Sequence, residues 1–300
     1  MQEAGYAVGH FGKWHVGITS DAPHPEAYGI DESMTYVSNA MSGRAYPEND
    51  EWFAANSTRW IVDDGIAFIE VAASNGQPFY LNLWIHISHA PLRPSPEQLE
   101  KFPLSLCPGP NPGHQQTQCA MQIYRASQYE ADLQIGRLLD WLDDQNLRES
   151  TLFVFATDNG TEDPHVDMHA VGDPGPHRGL KRSLYEGGVR APFIASWPGH
   201  IPQNVYSAAD IMSADWLPTV AGMTGVELSS NVSKGATLPT SPSTWPSSAA
   251  CRRQPAQAGP DGNPGSFSKF ANCKKIHFSA QPLGVDNHPH GPTQTAHLWV

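Results

Sequence analysis

The sequence predicts an α/β fold in which a sheet is covered by helices on its faces. Three short apolar runs, residues 79–85, 151–157 and 192–197, are rich in β-branched and aromatic side chains and are bounded by turn-forming or polar residues. Runs of this kind are typical of buried strands. Helical patterns at 61–72, before the first run, and at 122–145, between the first and second, alternate with these strands, and this alternation predicts the fold class.

The two helical patterns are defined by apolar residues at helical spacing. In the first pattern these residues are Ile61, Gly65, Phe68, Ile69 and Ala72, and in the second Ala131, Ile135, Leu138, Leu139 and Leu142. Ser57 is expected to cap the first helix. The spacing therefore predicts two amphipathic helices, each with one face turned to the sheet.

Composition changes after about Glu227, which divides the chain into two predicted regions. Residues 229–300 are rich in Ser, Pro, Gly, Asn and Gln and contain few periodic apolar positions. We therefore interpret residues 1–228 as the folded domain and residues 229–300 as a low-complexity, mostly disordered tail. A mis-spliced or read-through gene product would explain the same composition.

Charge and hydropathy argue against two classes of partner. The net charge is −12, so no basic stripe is available to bind a nucleic acid or an anionic membrane. No apolar run approaches the roughly 20 residues of a membrane span, and residues 1–17 lack a signal-peptide pattern. The four cysteines, which are compatible with disulfides or with free thiols, are Cys107, Cys119, Cys251 and Cys273.

The first candidate functional motif is Gly12-Lys13-Trp14-His15, which follows an apolar run at the end of a predicted strand. In open α/β folds, ligands bind at the carboxyl edge of the sheet. Lys13 can hold an anion as a point charge, and His15 can hydrogen-bond or transfer protons near neutral pH. A surface lysine beside a capping histidine would explain an isolated pair, but the surrounding glycines and aromatic residues favour a functional site.

The second motif, Thr157-Asp158-Asn159-Gly160, follows directly on a predicted strand. Asp158 and Asn159 offer two hard oxygen ligands of the type that Ca²⁺ or Mg²⁺ prefers. An Asx turn closed by Gly160 explains the same residues without a metal, and it is the better interpretation of the motif taken alone.

The third motif is the charged, glycine-containing segment 178–192. Arg178 and Lys181 can bind an anion, and the adjacent glycines permit a tight turn. Glu186 and Arg190 can pair to hold the loop. A solvated charged loop is the alternative explanation for this segment.

Histidines supply two further candidate groups. In the segment 86–92, His89 can donate a proton to a leaving oxygen, although hydrogen bonding at a strand end is the more common role of a single histidine. In the segment 162–169, His165 and His169 lie among acidic residues and could bind a transition metal. We favour a substrate-facing or solvated loop for this second segment.

The order and spacing of these motifs closely resemble those of the sulfatase family. In chain order the motifs are Gly5-Tyr6…Gly12-Lys13-x-His15, Tyr28-Gly29-Ile30-Asp31-Glu32, Pro78-Phe79-Tyr80…His89-x-Pro91, Thr151-Leu152…Asp158-Asn159-Gly160, Arg178-Gly-x-Lys181…Tyr185-Glu-Gly-Gly-x-Arg190-x-Pro192 and Asp215-x-x-Pro218-Thr219. The resemblance covers about residues 1–228. Motifs that occur in this register along so much of the chain are hard to obtain by chance.

The resemblance implies a fold, a reaction and cofactors. The fold is that of the alkaline phosphatase superfamily, an α/β/α sandwich around a central mixed sheet. The reaction is hydrolysis of sulfate esters, such as sulfated carbohydrates or aryl sulfates, by a formylglycine made from a cysteine in a Cys-x-Pro-Ser-Arg motif. A divalent cation, Ca²⁺ or Mg²⁺, polarises the sulfate oxygens. A secreted, lumenal, lysosomal or periplasmic location is expected for the full-length family member.

Carried over by position, the resemblance implies roles in sulfate and metal binding. Lys13 and Lys181 are similar to the lysines that bind the sulfate group. Asp158 and Asn159 are similar to half of the residues that hold the cation. The substrate itself is not identified by these motifs.

The resemblance also implies roles for two histidines. His15 resembles the histidine beside the nucleophile, and His89 resembles the one near the leaving group. His89 and Lys181 would together stabilise charge on the departing oxygen.

The sequence departs from the family pattern at the nucleophile. No Cys-x-Pro-Ser-Arg motif occurs in it, and Cys107-Pro108-Gly109-Pro110 lacks both the serine and the arginine. The early Asp-Asp pair that completes the metal site is also missing, and Val8 and Phe11 replace the usual residues of the first signature. We therefore expect a chain that is truncated at its N-terminus, lacks the first strand of the family sheet and is inactive alone.

Three functions follow as hypotheses. The first is a sulfatase of which this sequence gives the part after the nucleophile. The second is a non-catalytic sulfatase-like protein, or a pseudogene product, that binds anions through Lys13 and Lys181. The third is a phosphoesterase of the same superfamily, although the Gly-Lys-x-His signature favours sulfate.

Overall fold

The computed structural model describes residues 1–16, 21–36, 53–102, 115–163, 171–207, 209–228 and 296–299. Within these ranges the strands are β1 (Ala7–Lys13), β2 (Glu32–Tyr36), β3 (Phe79–Trp84), β4 (Thr151–Ala156), β5 (Phe193–Ser196) and β6 (Ala296–Trp299). The helices are α1 (Phe53–Ser74), α2 (Pro96–Glu100), α3 (Gln115–Asp144), α4 (Glu186–Val189) and α5 (Trp216–Thr224). The three predicted strands and two predicted helices are confirmed as β3, β4, β5, α1 and α3. None of the helices just named is long and apolar enough to cross a membrane.

The strands form one mixed sheet in the order β2-β1-β3-β6-β4-β5. β1 is parallel to β2 and β3, and β6 is parallel to β3 and β4. β5 is antiparallel to β4. The carboxyl ends of β1, β3, β6 and β4 therefore meet at one edge of the sheet, which is where open α/β folds bind their ligands.

Helices cover both faces of this sheet. Alternate residues of a strand point to opposite faces. Phe153 of β4 accordingly packs in the core with α1 and α3, whereas its neighbours Leu152 and Val154 pack with β5 and α5. On this second face the indole Nε1–H of Trp216 donates a hydrogen bond to the Tyr80 hydroxyl at 2.9 Å. The three layers confirm the predicted α/β/α sandwich.

The apolar stripe of α1 explains why this helix packs on the sheet. Its buried residues recur every three or four positions, at Ala55, Ser57, Thr58, Ile61, Val62, Gly65, Phe68, Ile69 and Ala72. Gly65 permits close approach to β3, because a Cβ at this position would lie 2.8 Å from Leu83 Cδ2. Leu138 and Leu142 of α3 are buried in the same layer. Burial of each such side chain contributes about 1.5–3 kcal/mol.

The prediction that Ser57 caps the first helix is wrong. The described part of α1 begins at Phe53, so Ser57 lies inside the helix, where it is fully buried. Phe53 extends the apolar stripe by one turn, and its ring packs against that of Tyr36 at 5.3 Å between centroids. This contact stabilises the first described turn of α1, which the spacing of the apolar residues from Ile61 onward does not predict.

Most of the predicted tail lies outside the described residues. Residues 229–295 belong to this part, so their predicted disorder and the domain boundary at 228 stay predictions. Residues 296–299 differ from the expectation, because they form β6 between β3 and β4. The side chains of the four cysteines are also outside the described part, so their pairing stays open.

Candidate anion-binding site

Lys13 is the last residue of β1 and lies at the carboxyl edge of the sheet. The preceding residue has to be glycine, because Gly12 has a φ of +108° and a Cβ there would lie 2.2 Å from the backbone oxygen of Trp84. Gly12 pairs with Trp84 in the sheet, so Lys13 lies one step beyond the end of β3. The Gly-Lys motif therefore results from close packing of β1 on β3, and it places a cation at the edge.

A buried histidine supports Lys13 from within the same strand. His10 is fully buried, and its Nε2–H donates a hydrogen bond to the Lys13 carbonyl oxygen at 3.0 Å. Its ring makes edge contacts with Trp14 and Trp84, at 5.0 and 4.8 Å between centroids. Burial lowers the pKa of His10 to about 4, although the hydrogen bond to Lys13 acts in the opposite direction. His10 is therefore neutral near pH 7.

Two histidines follow β3 at the same edge. His86 is buried, and its ring centroid lies 5.7 Å from that of His89. Burial, together with the positive charges of His89 and Lys13, lowers the pKa of His86 to about 4. The Nδ1–H of His89 donates to the Ala90 carbonyl oxygen at 2.7 Å, which fixes the orientation of the ring. The structure thus brings Lys13, His86 and His89 together.

The predicted metal ligands follow β4. Asp158 is exposed and Asn159 is half-buried. The amide of Gly160 donates to the Gly188 carbonyl oxygen at 2.9 Å, and a Cβ at Gly160 would lie 1.9 Å from the carbonyl oxygen of Gly187. The Asp-Asn-Gly turn therefore packs directly on α4, and only glycine fits at its end.

Lys181 lies in a loop that is tied to the same turn. Its N–H donates to the Thr161 carbonyl oxygen at 2.8 Å, and its Nζ lies 3.6 Å from Glu162 Oε2. Arg182 Nη1 contacts the other carboxylate oxygen. Burial raises the pKa of Glu162, but the Asp163 N–H and the two cations outweigh burial and lower it overall. An ionised Glu162 therefore holds Lys181 in place.

A cavity of about 340 Å³ opens beside Lys181. Its lining consists of Asp163, Gly179, Leu180, Lys181, Arg182 and Ser183. The surrounding loop is held by Arg178, whose guanidinium lies 4.0 Å from the ring centroid of Tyr185. The predicted pairing of Glu186 with Arg190 is confirmed, at 2.9 Å between Oε2 and Nη1. The lining has two cations and one carboxylate, and both cations also contact the Glu162 carboxylate.

The two groups of residues lie on one edge of the sheet, on either side of β6. Lys13, His86 and His89 follow β1 and β3, whereas Asp158 and Lys181 follow β4 or its adjoining loop. Because neighbouring strands are about 4.8 Å apart, the ends of β3 and β4 are roughly 10 Å apart across β6. Cations therefore flank the middle of the edge from both sides.

The predicted metal ligands Asp158 and Asn159 do not make a complete metal site with the other described residues. Asp158 and Asn159 have suitable oxygen atoms, but Ca²⁺ takes six to eight oxygen ligands. In the part of the chain that the structure describes, no group of three or more His, Cys, Asp or Glu side chains is arranged to hold a metal ion. The other candidate ligands, His165 and His169, lie outside the described residues. The residues present therefore do not fit a complete cation site, and we derive no step through it.

Sequence reasoning singled out some of these residues and missed others. His15, predicted to act beside the nucleophile, lies two residues beyond β1 with an exposed side chain. His10 was missed, although a histidine inside an apolar strand indicates burial. The pairing of Glu162 with Lys181 was also missed, because the two residues belong to different motifs and only the packing of their loops brings them together.

In a comparison with known protein families, one family model matches most of the chain. The model of the sulfatase family matches residues 1–226. The match includes Lys13, His89, Asp158 and Lys181, which are the residues that surround the candidate site.

Curated proteins similar to this chain are sulfatases. Arylsulfatase G of Rattus norvegicus is 30% identical over a match that covers 77% of this chain and 49% of that protein. N-acetylgalactosamine-6-sulfatase of Canis lupus familiaris is 30% identical over 67% of this chain and 39% of that protein. The chain therefore spans half or less of the length of these relatives.

Solved structures share the fold of this chain. A crystal structure of Ps i-CgsB in complex with a neocarrahexaose matches with a TM-score of 0.62 and 24% identity, over 77% of this chain and 53% of that chain. A protein in complex with its substrate D-glucosamine-2-N,6-O-disulfate matches with a TM-score of 0.57 and 21% identity, over 77% and 61%. At these identities the likeness shows the fold alone.

Proposed function

Because the chain belongs to the sulfatase family, we propose that it provides the sulfate-binding part of a sulfuric ester hydrolase. One observation supports this proposal above the others. Two lysines from motifs far apart in the sequence, Lys13 and Lys181, lie at the same edge of one sheet, where parallel strands end. Cations at such an edge provide the charge that a sulfate group requires.

Lys13 and Lys181 bind the sulfate oxygens in this proposal. The His10 hydrogen bond holds the Lys13 backbone through its carbonyl oxygen, and Glu162 pairs with the Lys181 ammonium group. Fixed cations stabilise the charge that develops on the transferring group without reorganising during the reaction. His10 and His86 are neutral near pH 7, because burial lowers the pKa of each to about 4, so the lysines supply the positive charge in this proposal.

His89 protonates the leaving oxygen. Its Nδ1–H is engaged by the Ala90 carbonyl oxygen, so Nε2 is the nitrogen that can deliver a proton. Protonation of the departing alcohol contributes roughly 10²–10⁴-fold to hydrolysis of this kind. His15, which is exposed at the same edge, orients the nucleophile.

A hydrolase of this kind would need a nucleophile that this sequence does not contain. No Cys-x-Pro-Ser-Arg motif occurs in the 300 residues, and a formylglycine therefore has no precursor here. We expect the chain by itself to bind sulfate esters without turning them over at a measurable rate, because removing the nucleophile of a covalent mechanism costs many orders of magnitude. The same observation favours a second candidate function, a non-catalytic sulfatase-like anion-binding protein.

The proposal extends to the cation, the substrate and the location. Asp158 and Asn159 would supply two of the oxygen ligands of a Ca²⁺ or Mg²⁺ ion, and the other ligands would have to come from outside the described residues. The names of the relatives, arylsulfatase G and N-acetylgalactosamine-6-sulfatase, support aryl sulfates or sulfated carbohydrates as substrates. A secreted, lumenal, lysosomal or periplasmic location fits such substrates.

Sulfate binding and aryl sulfate turnover by the purified chain test the proposal. We expect inorganic sulfate to bind in calorimetry, to bind more weakly to Lys13→Ala and Lys181→Ala, and to bind unchanged to Lys101→Ala. Lys101 is the control because its Nζ lies 5.3 Å from the Tyr129 ring and it belongs to neither of the two lysine motifs. We expect no turnover of p-nitrophenyl sulfate. Absence of sulfate binding contradicts the proposal, and turnover that requires Lys181 contradicts the expected inactivity.

The transcript upstream of the Met1 codon separates the two candidate functions. A coding sequence with an Asp-Asp strand and a Cys-x-Pro-Ser-Arg motif supports the hydrolase. A message that starts at Met1 supports the non-catalytic anion-binding protein.

A further inference from the structure

Lys13 and His89, which face the sulfate from one side of the edge in the proposed function, share a local arrangement. In each case a histidine three positions earlier in the chain bonds from its ring to the backbone of the functional residue. The Nε2–H of His10 donates to the Lys13 carbonyl oxygen at 3.0 Å. The His86 ring makes the corresponding hydrogen bond to the His89 backbone. The same arrangement therefore occurs at the carboxyl ends of two neighbouring parallel strands, β1 and β3.

The His86 ring bonds to the carbonyl oxygen of His89 and not to its N–H. The His89 N–H is already engaged, because it donates to the His86 carbonyl oxygen at 2.8 Å. Burial is the main cause that lowers the pKa of His86, whereas the hydrogen bond to the His89 backbone raises it. A bond that raises the pKa favours the protonated ring, so the ring donates and a carbonyl oxygen accepts. The turn from His86 to His89 is thus closed by two hydrogen bonds.

Burial and aromatic contacts hold both histidine rings in place. His10 is fully buried between two tryptophan rings. His86 is 5% exposed, and its ring centroid lies 5.7 Å from that of Tyr36 at the end of β2 and 6.3 Å from that of Phe53 in α1. Side chains packed against several elements in this way have little freedom to change rotamer. Each imidazole therefore presents its donor in one direction.

The second nitrogen of each ring indicates which tautomer the histidine adopts. In the part of the chain that the structure describes, the buried Nδ1 atoms of His10 and His86 have no hydrogen-bond partner. Both histidines are neutral near pH 7, because burial lowers the pKa of each to about 4. A neutral imidazole has one N–H, and that group is satisfied only at the nitrogen that meets the carbonyl oxygen. The expected tautomer is therefore Nε2–H for both rings.

We propose that His10 and His86 are a matched pair of positioning residues, each of which fixes the backbone of one sulfate-facing residue through its Nε2–H. His10 acts on Lys13. His86 acts on His89, whose own Nδ1–H donates to the Ala90 carbonyl oxygen, so a fixed turn preserves that bond and leaves His89 Nε2 for the leaving oxygen. The hydrogen bonds belong to the fold, whereas their effect on sulfate binding also rests on the proposed function.

Two substitutions at each histidine separate the hydrogen bond from the packing of the ring. Phenylalanine keeps an aromatic ring of similar size and removes the donor. Glutamine removes the ring and can place its amide N–H near the position of Nε2. His200→Phe is the control, because His200 stacks on Trp197 beyond β5, which is antiparallel to β4 and therefore ends at the opposite edge of the sheet.

The unsubstituted full-length chain gives the first test, which does not depend on the folding of any variant. Histidine rings are labelled with nitrogen-15, and long-range nitrogen–proton spectra at about pH 8 report which ring nitrogen carries the proton. Through-bond correlations assign each ring to its residue. We expect Nε2–H at His10 and His86 and Nδ1–H at His89. An Nδ1–H tautomer at His10 or His86 overturns the proposal.

The His86 variants then test the positioning of His89. We expect His86→Gln and His200→Phe to keep the Nδ1–H tautomer of His89. We expect His86→Phe to replace it by exchanging tautomers, because the His89 carbonyl oxygen loses its donor. Retention of the tautomer in His86→Phe overturns the positioning role, since the ring and not the hydrogen bond would then hold the turn. If both His86 variants fail to fold, the tautomers of the unsubstituted chain decide.

Sulfate binding tests the same contrast at Lys13. Calorimetry at neutral pH is expected to show roughly three- to ten-fold weaker binding of inorganic sulfate by His10→Phe, and a change within about two-fold for His10→Gln and His200→Phe, as for the loss or retention of one hydrogen bond. Affinity that is kept in His10→Phe and lost in His10→Gln overturns the positioning role of His10. The expected tautomers in a chain that binds no sulfate support the hydrogen bonds and contradict only the proposed function.

Discussion

The two sides of the candidate site are built in different ways. On the β1–β3 side, the core determines the geometry, since His10 is fully buried, His86 nearly so, and Gly12 is in contact with the β3 backbone. On the β4 side, Asp158 is exposed and Lys181 is held by an ion pair with Glu162. Each side places a lysine at the same edge, but only the β1–β3 side is built from core residues.

This difference separates stability from binding. A substitution on the β1–β3 side alters packing that the whole fold shares, so it is expected to change the free energy of unfolding. A substitution on the β4 side alters charges near the surface, so it is expected to change anion affinity and to leave unfolding almost unaffected. The following predictions test this contrast from the largest effect to the smallest.

The largest effect is expected from Gly12→Ala. Gly12 has a φ of +108°, and an added Cβ would lie 2.2 Å from the backbone oxygen of Trp84, which cannot rotate away. Strain and displacement of β3 are expected to lower the free energy of unfolding by about 3–5 kcal/mol, as for other severe core changes. Urea unfolding of the purified variant measures the loss.

Gly136→Ala is the control for this substitution. A Cβ at Gly136, within α3, meets nothing within 4 Å, so alanine is expected to stabilise the helix by up to about 1 kcal/mol. Equal unfolding midpoints for the two variants would show that the contact between β1 and β3 is not as close as described.

The second effect concerns acid stability. The pKa of His10 is about 4 in the folded protein and 6.5 as its ordinary value, so the unfolded chain binds the proton more tightly. Above pH 6.5 His10 is neutral in both states and does not lower the free energy of unfolding. As the pH falls from 6.5 to about 4, protonation of the unfolded chain lowers that free energy. Because one proton is involved, the free energy of unfolding falls by about 3 kcal/mol over this pH range.

His10→Phe removes this titration and keeps an aromatic ring between the two tryptophans. Urea midpoints measured from pH 7.5 to 4.5 are expected to fall less steeply for the variant than for the unsubstituted protein. Parallel pH profiles for the two proteins would contradict the assignment of His10 as a buried neutral histidine. His86 titrates over the same range, so a residual slope in the variant is expected.

The smallest effect is expected on the β4 side. Glu162→Gln removes a carboxylate whose Oε2 lies 3.6 Å from Lys181 Nζ, and it leaves the side chain almost the same in shape. Sulfate affinity is expected to rise roughly two- to five-fold, because one repulsive charge is removed at a partly exposed site. Calorimetry measures the affinity, and the urea midpoint should change little. A weaker affinity would show that Glu162 matters more by positioning Lys181 than by its charge.

The sequence predicts well what depends on local pattern. The apolar runs correspond to β3, β4 and β5 with boundaries close to those observed, and the helical spacing predicts α1 and α3. The strand before Lys13 was also expected, because Gly-Lys follows an apolar run. These features are predictable because hydrophobic periodicity and chain order suffice to identify them.

Features that depend on distant parts of the chain were not predicted. Residues 296–299 are too few to give a strand pattern, and their place in the sheet depends on β3 and β4. The pairing of Glu162 with Lys181 requires two loops to meet. The beginning of α1 at Phe53 depends on a contact with Tyr36, and the spacing of residues within the helix does not reveal this contact. Tertiary packing therefore decides these features.

The number of sulfate ions that bind, and their dependence on the two lysines, tests the central claim most directly. The claim is that Lys13 and Lys181, from the two sides of the edge, hold one anion. Calorimetric titration of the full chain with inorganic sulfate is predicted to show one ion per chain, bound about ten-fold more weakly by either Lys13→Ala or Lys181→Ala, the loss expected for one hydrogen bond to a charged group. Two ions per chain, each sensitive to only one of these substitutions, would contradict it.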